Sequence, residues 1–120
     1  VKLLAQYVWI DEPSTHGVAS GWQSGLLFAN GKPKPALAHF PDPFYLDAPR
    51  SRLWGQVRPG GSHPVLVQRR ARGAGAWSTV ANVTTDARGY WSLQMRLTRG
   101  TAYRFVPADG ATHASMARTR

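Results

Sequence analysis

The chain has 120 residues, no cysteine and a net charge of +9. That length suits one domain with a real core, or a small domain plus a fragment of another, and the missing cysteines exclude a disulfide framework and any thiolate metal site. No apolar run approaches a membrane span and no signal-peptide pattern opens the sequence at Val1, so it reads as a piece of a longer polypeptide or a processed product.

The charge is unevenly spread. Residues 1–49 carry three Lys and four acids, a net of −1, whereas residues 50–120 carry twelve Arg and two acids, a net of +10. Every Lys lies before Pro49 and every Arg after it, which predicts two units joined near that proline. An Arg-rich surface can attract polyanions, or it can simply keep a domain soluble.

In chain order, "KLLAQYVWI" (Lys2–Ile10) reads as a buried strand, being nearly continuous in apolar, aromatic and β-branched residues. "DEPSTHGVAS" is a loop, broken by Pro13 and Gly17. "SGLLFANG" is a short strand or turn ending at Asn30-Gly31, and "KPALAHF" a short helix with Pro35 in its first turn, stopped by "PDPF". From Arg50 turn signals recur at Pro59-Gly60-Gly61, Gly73-Ala74-Gly75, Asp86-Ala87-Arg88-Gly89 and Arg99-Gly100. Between them lie five strand-like runs: "SRLWGQVRP", "PVLVQRRA", "WSTVANVTT", "YWSLQMRLT" and "TAYRFVP". In the fourth, Trp91, Leu93, Met95 and Leu97 alternate with Ser92, Gln94 and Arg96, the period of a half-buried strand. Short strands with evenly spaced turns predict an antiparallel sandwich or barrel over about 50–107. Residues 108–120 have little to bury and read as a loose tail.

Residues 1–45 resemble the last strand and last helix of a (β/α)8-barrel glycoside hydrolase of the secreted, retaining type common in actinobacteria. The resemblance is carried by "VKLLAQYVWIDEP" and "GWQSGLLFANGKPKPALAHF". The second part resembles the small all-β module that often follows such a barrel, carried by "LWGQVRP", "VLVQRRA", "WSTVANVTTDARGYWSL" and "GTAYRF". The resemblance implies a mainly β fold: an immunoglobulin-like or fibronectin-like antiparallel β-sandwich, preceded by a strand-loop-short-helix segment from the end of the barrel. It implies an extracellular, bacterial protein whose partners are a polysaccharide and the catalytic barrel of its parent chain. It also implies that the catalytic glutamates, which such enzymes carry on earlier strands, belong upstream of Val1.

The residues present offer no replacement for them. A retaining pair needs two carboxyl groups about 5–5.5 Å apart across the scissile bond. Asp11 and Glu12 are the only adjacent acids, and on an extended backbone they point to opposite faces. Asp42, Asp47, Asp86 and Asp109 are scattered in turns, where turn and cap chemistry is the expected role. His16, His39, His63 and His113 have no metal-ligand spacing, and no phosphate-loop or nucleophile-elbow pattern occurs, so no catalytic residue, metal or cofactor is expected.

The aromatic residues carry the remaining functional signal, because flat sugar faces stack on exposed rings. Trp91, Tyr103 and Phe105 are expected in the core, and Trp54 is ambiguous. The candidate carbohydrate-contact residues are Trp9, Trp22, Trp77 and Tyr90. Trp77 and Tyr90 both sit beside turns, where two strands could present them together. Two readings follow. The chain is a non-catalytic accessory region of an extracellular glycoside hydrolase, or it is an independent carbohydrate-binding module for a β-glucan-type polysaccharide, with residues 1–45 adding strands to the sandwich. A lesser alternative uses Arg69, Arg70 and Arg72 as a basic patch for nucleic acid or another polyanion, although no nucleic-acid-binding signature is present.

Overall fold

The structure, a computed structural model, describes residues 8–14 and 21–120. Most of the first expected strand (1–7) lies outside the described residues, as does His16. The chain divides into two compact units, Val1–Phe40 and Pro41–Arg120.

In the first unit the chain around Trp9 runs beside Leu26 and Leu27, whose N–H groups both donate to the Trp9 carbonyl at 2.9 and 3.0 Å. Leu27 forms a parallel bridge with Ile10 and an antiparallel one with Pro33. The expected turn is there: Gly31 adopts φ +79°, and Asn30 Oδ1 accepts the Lys32 N–H at 3.0 Å. The expected helix is a 3-10 helix, Pro35–His39. Pro35 fits its start because a first-turn residue needs no donor, and the helix ends just before Pro41.

The second unit consists of two antiparallel sheets around one core. Its strands are β1 (Phe44–Asp47), β2 (Arg52–Gln56), β3 (Pro64–Arg70), β4 (Ser78–Thr84), β5 (Tyr90–Gln94), β6 (Ala102–Pro107) and β7 (Arg118–Thr119). They form a three-stranded sheet in the order β1-β2-β5 and a four-stranded sheet in the order β4-β3-β6-β7. Strands β2 to β6 are the five runs read from the sequence, although β5 ends at Gln94 rather than continuing to Leu97.

Alternation explains the layering. Leu53 and Gly55 on β2, Val65 and Val67 on β3, Trp91 on β5, and Tyr103 and Phe105 on β6 are all buried, and the intervening residues are more exposed. Leu97 is buried, with Leu93 and Met95 packed against the same cluster. Both sheets contribute to an aromatic centre: the Phe105 ring lies edge-on to Trp91 at 5.3 Å and to Phe44 at 5.8 Å, while Phe44 and Trp91 stack at 6.1 Å. The buried Tyr103 hydroxyl accepts the Thr98 N–H at 2.9 Å, closing the corner between β5 and β6. In the turn before β5, Asp86 Oδ1 accepts the Arg88 and Tyr90 N–H groups at 2.8 and 2.9 Å. Gly89 follows with φ +81°, where a Cβ would collide with the Val57 carbonyl oxygen.

Two expected boundaries move. Phe44 and Tyr45, placed with the barrel-like segment by sequence, belong to β1 of the sandwich. Residues 108–120 are not a loose tail. The Ser115 hydroxyl accepts the Phe105 N–H at 3.0 Å, the Ser115 N–H donates to the Phe105 carbonyl at 2.9 Å, and β7 pairs with β6 through Thr119–Ala102 and Arg118–Tyr103. Backbone pairing supplies what the missing apolar side chains do not.

Candidate carbohydrate-contact surfaces

All six acids of the chain have structural partners. Asp11 is buried, accepts the Gly25 N–H at 2.9 Å and pairs with Lys34 Nζ at 2.7 Å. Exposed Glu12 accepts the Trp22 N–H at 3.1 Å. Asp42 accepts the Thr112 hydroxyl at 2.5 Å and the Arg58 N–H at 3.2 Å; burial still pushes its carboxyl above the usual range. Asp47 holds the Arg50 and Arg52 guanidinium groups at 3.1 and 3.6 Å. Asp86 caps its turn, and Asp109 accepts from His63 Nδ1 at 2.7 Å. Buried, turn-bound or, for Glu12, bonded across to the Trp22 backbone, these carboxylates all contact groups of the fold. Among the described residues no group of three or more His, Cys, Asp or Glu is placed to hold a metal ion.

The His63–Asp109 contact has one further member. His63 Nε2 lies 2.8 Å from the Gly60 carbonyl oxygen. Only the doubly protonated ring donates to both acceptors at once. The Gly60 carbonyl and then the Asp109 carboxylate accordingly raise the His63 pKa, and the bond to His63 in turn lowers that of Asp109.

The four aromatic residues expected at a sugar site fall two in each unit. In the first unit, Trp22 is 59% exposed, and Trp9 is half-buried with its ring edge-on to Phe40 at 6.5 Å. In the second unit, Trp77 and Tyr90 belong to different sheets, contrary to their expected joint presentation. Trp77 immediately precedes β4 of the four-stranded sheet, and Tyr90 opens β5 of the three-stranded one. Trp77 is not an open platform either: the Arg70 and Arg104 guanidinium carbons lie 4.7 and 4.3 Å from its ring centre. These are cation–π contacts that occupy the ring.

Tyr90 has partners that the sequence did not bring forward. Phe44, Leu53 and Trp91 face the core, so Tyr45, Trp54 and Tyr90 lie on the outer face of the three-stranded sheet. Tyr45 is directly opposite Trp54 in the β1–β2 register, and the Trp54 and Tyr90 rings are 5.6 Å apart with planes 30° from parallel. Tyr45 is 59% exposed and Tyr90 36% exposed. Gln56, Ser92 and Gln94 share this face and add neutral amide and hydroxyl groups around the rings, and Arg52, opposite Gln94, adds a guanidinium 3.6 Å from Asp47. The signal for Trp54 was present in the alternation Leu53-Gly55-Val57, which turns Trp54 outward once Gly55 is accepted as an inward position.

Comparison with protein-family models, with curated proteins and with solved structures found no match. Among the described residues no helix is long and apolar enough to cross a membrane.

Proposed function

We propose that the chain is the non-catalytic C-terminal accessory region of an extracellular bacterial glycoside hydrolase acting on polysaccharide, with residues 41–120 an immunoglobulin-like module of the fibronectin kind. The observation that carries the non-catalytic reading is that all six carboxylates hold backbone donors, cations or hydroxyls of the fold itself. Two features support the module type. The fourth strand lies beside β3 rather than beside β5, which departs from the constant-type immunoglobulin order. The Tyr103 hydroxyl bonds back to the Thr98 N–H, as a tyrosine corner does. The barrel-end reading of the first unit, the parent enzyme and the secreted location rest on the sequence resemblance. The test of the first reading is release of reducing sugar from a panel of soluble polysaccharides. None is expected, and turnover that disappears in Glu12→Gln would refute it.

A second reading, an independent carbohydrate-binding module, is favoured by the outer face carrying Tyr45, Trp54 and Tyr90. Stacking on a neutral sugar face gains little from net charge, so retention in a β-glucan gel should be nearly flat in salt. Trp54→Ala should abolish it, and Trp77→Ala should leave it unchanged. Retention that survives Trp54→Ala, or none at all in wild type, removes this reading and leaves the first.

A further inference from the structure

The second unit carries twelve Arg and no Lys against Asp42, Asp47, Asp86 and Asp109, a net of +8. On its four-stranded sheet the positive charge is uncompensated. Among the described residues, no ion pair involves Arg69, Arg70, Arg72 or Arg104. Arg104 alternates with buried Tyr103 and Phe105 and so points outward, with Nε donating to Gln68 Oε1 at 2.8 Å. Arg70 shares the Trp77 ring with it. Burial and then the charge of Arg70 both disfavour the Arg104 cation, so two like charges are held near one ring with no carboxylate to relieve them. Beside them lies a shallow hollow of about 460 Å³, lined by Arg70, Arg72, Gly73, Ala74, Gly100 and Thr119, among others.

We propose that Arg70 and Arg104, on the outer face of the four-stranded sheet, and Arg72, in the turn after β3, bind the carboxylates of an acidic polysaccharide. A guanidinium presents a planar fork of N–H donors that matches a carboxylate, and a bound anion removes the repulsion between Arg70 and Arg104. Charge complementarity selects a polyanion. The distribution of aromatic residues selects among polyanions. A single-strand nucleic-acid binder interleaves cations with open rings on which bases stack. Here the exposed rings Tyr45 and Tyr90 and the half-buried Trp54 are on one sheet, Arg70 and Arg104 are on the other, and the indole between those two arginines is occupied. A chain of uronate sugars needs no stacking at its acid groups. The choice of a polysaccharide rests on the accessory-module reading; the location of the anion site does not.

The experiment is affinity electrophoresis of the whole chain in polygalacturonate, neutral β-glucan and single-stranded DNA, each at low and high salt. Retardation by polygalacturonate at low salt, fading as salt rises, is expected. Arg70→Gln and Arg104→Gln should each weaken it by about tenfold or more, as for loss of a charge-assisted hydrogen bond. Arg70→Lys keeps the charge but loses the fork, and should restore only part of the affinity. Arg72→Gln lies outside the ring contact, so it tests the site without disturbing Trp77, and it should also weaken binding. Arg88→Gln, in the turn before β5, should be silent. Absence of retardation at low salt overturns the proposal, as does an Arg88→Gln effect equal to that of Arg70→Gln, which would mean diffuse charge. Binding of DNA more tightly than polygalacturonate at matched salt overturns both the proposal and the accessory-module reading. Glucan retention without polygalacturonate binding overturns the proposal alone.

Discussion

Gly55 is the position where a single added methyl group tests the packing of the core most directly. It sits mid-β2, opposite Phe44 on one side and Trp91 on the other. Its missing side chain leaves space for their rings. A Cβ built there would lie 2.6 Å from Trp91 Nε1, 2.8 Å from Trp91 Cε2 and 2.9 Å from Phe105 Cε1. All three distances are well inside the roughly 3.5–4.0 Å of comfortable contact. The rings cannot swing aside, because Trp91 and Phe105 are buried against each other and against Phe44. Overpacking of this kind costs about 1–3 kcal/mol, while replacing a strand glycine gives back about 0.5–1 kcal/mol through the unfolded chain. With three ring atoms involved, the upper part of the range applies, and Gly55→Ala should lose about 2 kcal/mol net. For a unit of this size that lowers the melting temperature by about 8–16 °C. Gly75→Ala is the control, since nothing lies within 4 Å of its added Cβ and its φ is not positive. It should be neutral or slightly stabilising. The assay is urea unfolding followed by tryptophan fluorescence. A Gly55→Ala midpoint equal to that of Gly75→Ala would show that Trp91 and Phe105 do not close over β2.

The other expectations address the corner, the strand register and the charged contact. Tyr103→Phe should cost about 1–3 kcal/mol, because it leaves the Thr98 N–H without its acceptor beside a buried ring; a variant as stable as wild type in urea would remove the corner from the account. Leu97→Ala should cost about 2–5 kcal/mol, and exposed Ser92→Ala should be nearly silent; equal midpoints would mean that the alternation after Trp91 is misassigned. His63 has a folded-state pKa raised above its ordinary 6.5, so its stabilisation is complete below that value and is lost as pH rises through the raised one. Asp109 has a lowered pKa, so its contribution is present above its ordinary 3.8 and is lost as pH falls through the lowered value. The stability difference between wild type and His63→Gln should therefore be largest between these limits and shrink on the alkaline side; a difference that is flat from about pH 5 to pH 9 would contradict the contact.

Five of the seven strands were legible as β-branched and aromatic runs between clear turn residues, and four of them, β2, β3, β5 and β6, also alternate buried with exposed positions. The two that were missed lack that signal for different reasons. β1 is four residues long, its neighbours Pro41, Pro43 and Pro49 read as breakers, and its start falls in a stretch assigned by resemblance to the preceding segment. β7 is Arg118–Thr119, with no side chain to bury; it exists because the Ser115 backbone and hydroxyl groups fix the approach to β6. The candidate surfaces were less legible than the fold. Trp77 reads as an exposed ring from its neighbours in the chain, but its environment is set by Arg70 on β3 and Arg104 on β6, which only the sheet brings to it. Trp54 stayed ambiguous because Gly55 presents no apolar side chain to mark its side of the strand.

The edges of the two sheets bear on where a ligand can meet this unit. An open edge strand invites an extended partner to add to the sheet. Here β1 is short and has prolines on both sides, and β7 is only two residues long. The longer edge strand, β4, pairs with β3 through a register shift between Val67 and Gln68, an irregularity that sets its edge out of a regular ladder. With three of the four edges blunted and only the five-residue β5 left as a regular edge, the outer faces are the better-built surfaces, and they differ in kind. One carries rings among amides with a single arginine, Arg52, paired to Asp47, and the other carries the unpaired guanidinium groups of Arg70 and Arg104 around an occupied indole. Variants on one face should not change binding on the other, so salt dependence separates the two: flat for a ligand held by Trp54, steep for one held by Arg70 and Arg104. A single ligand whose binding is both flat in salt and lost in Arg70→Gln would break that division, because it would require the arginine to act through packing rather than charge.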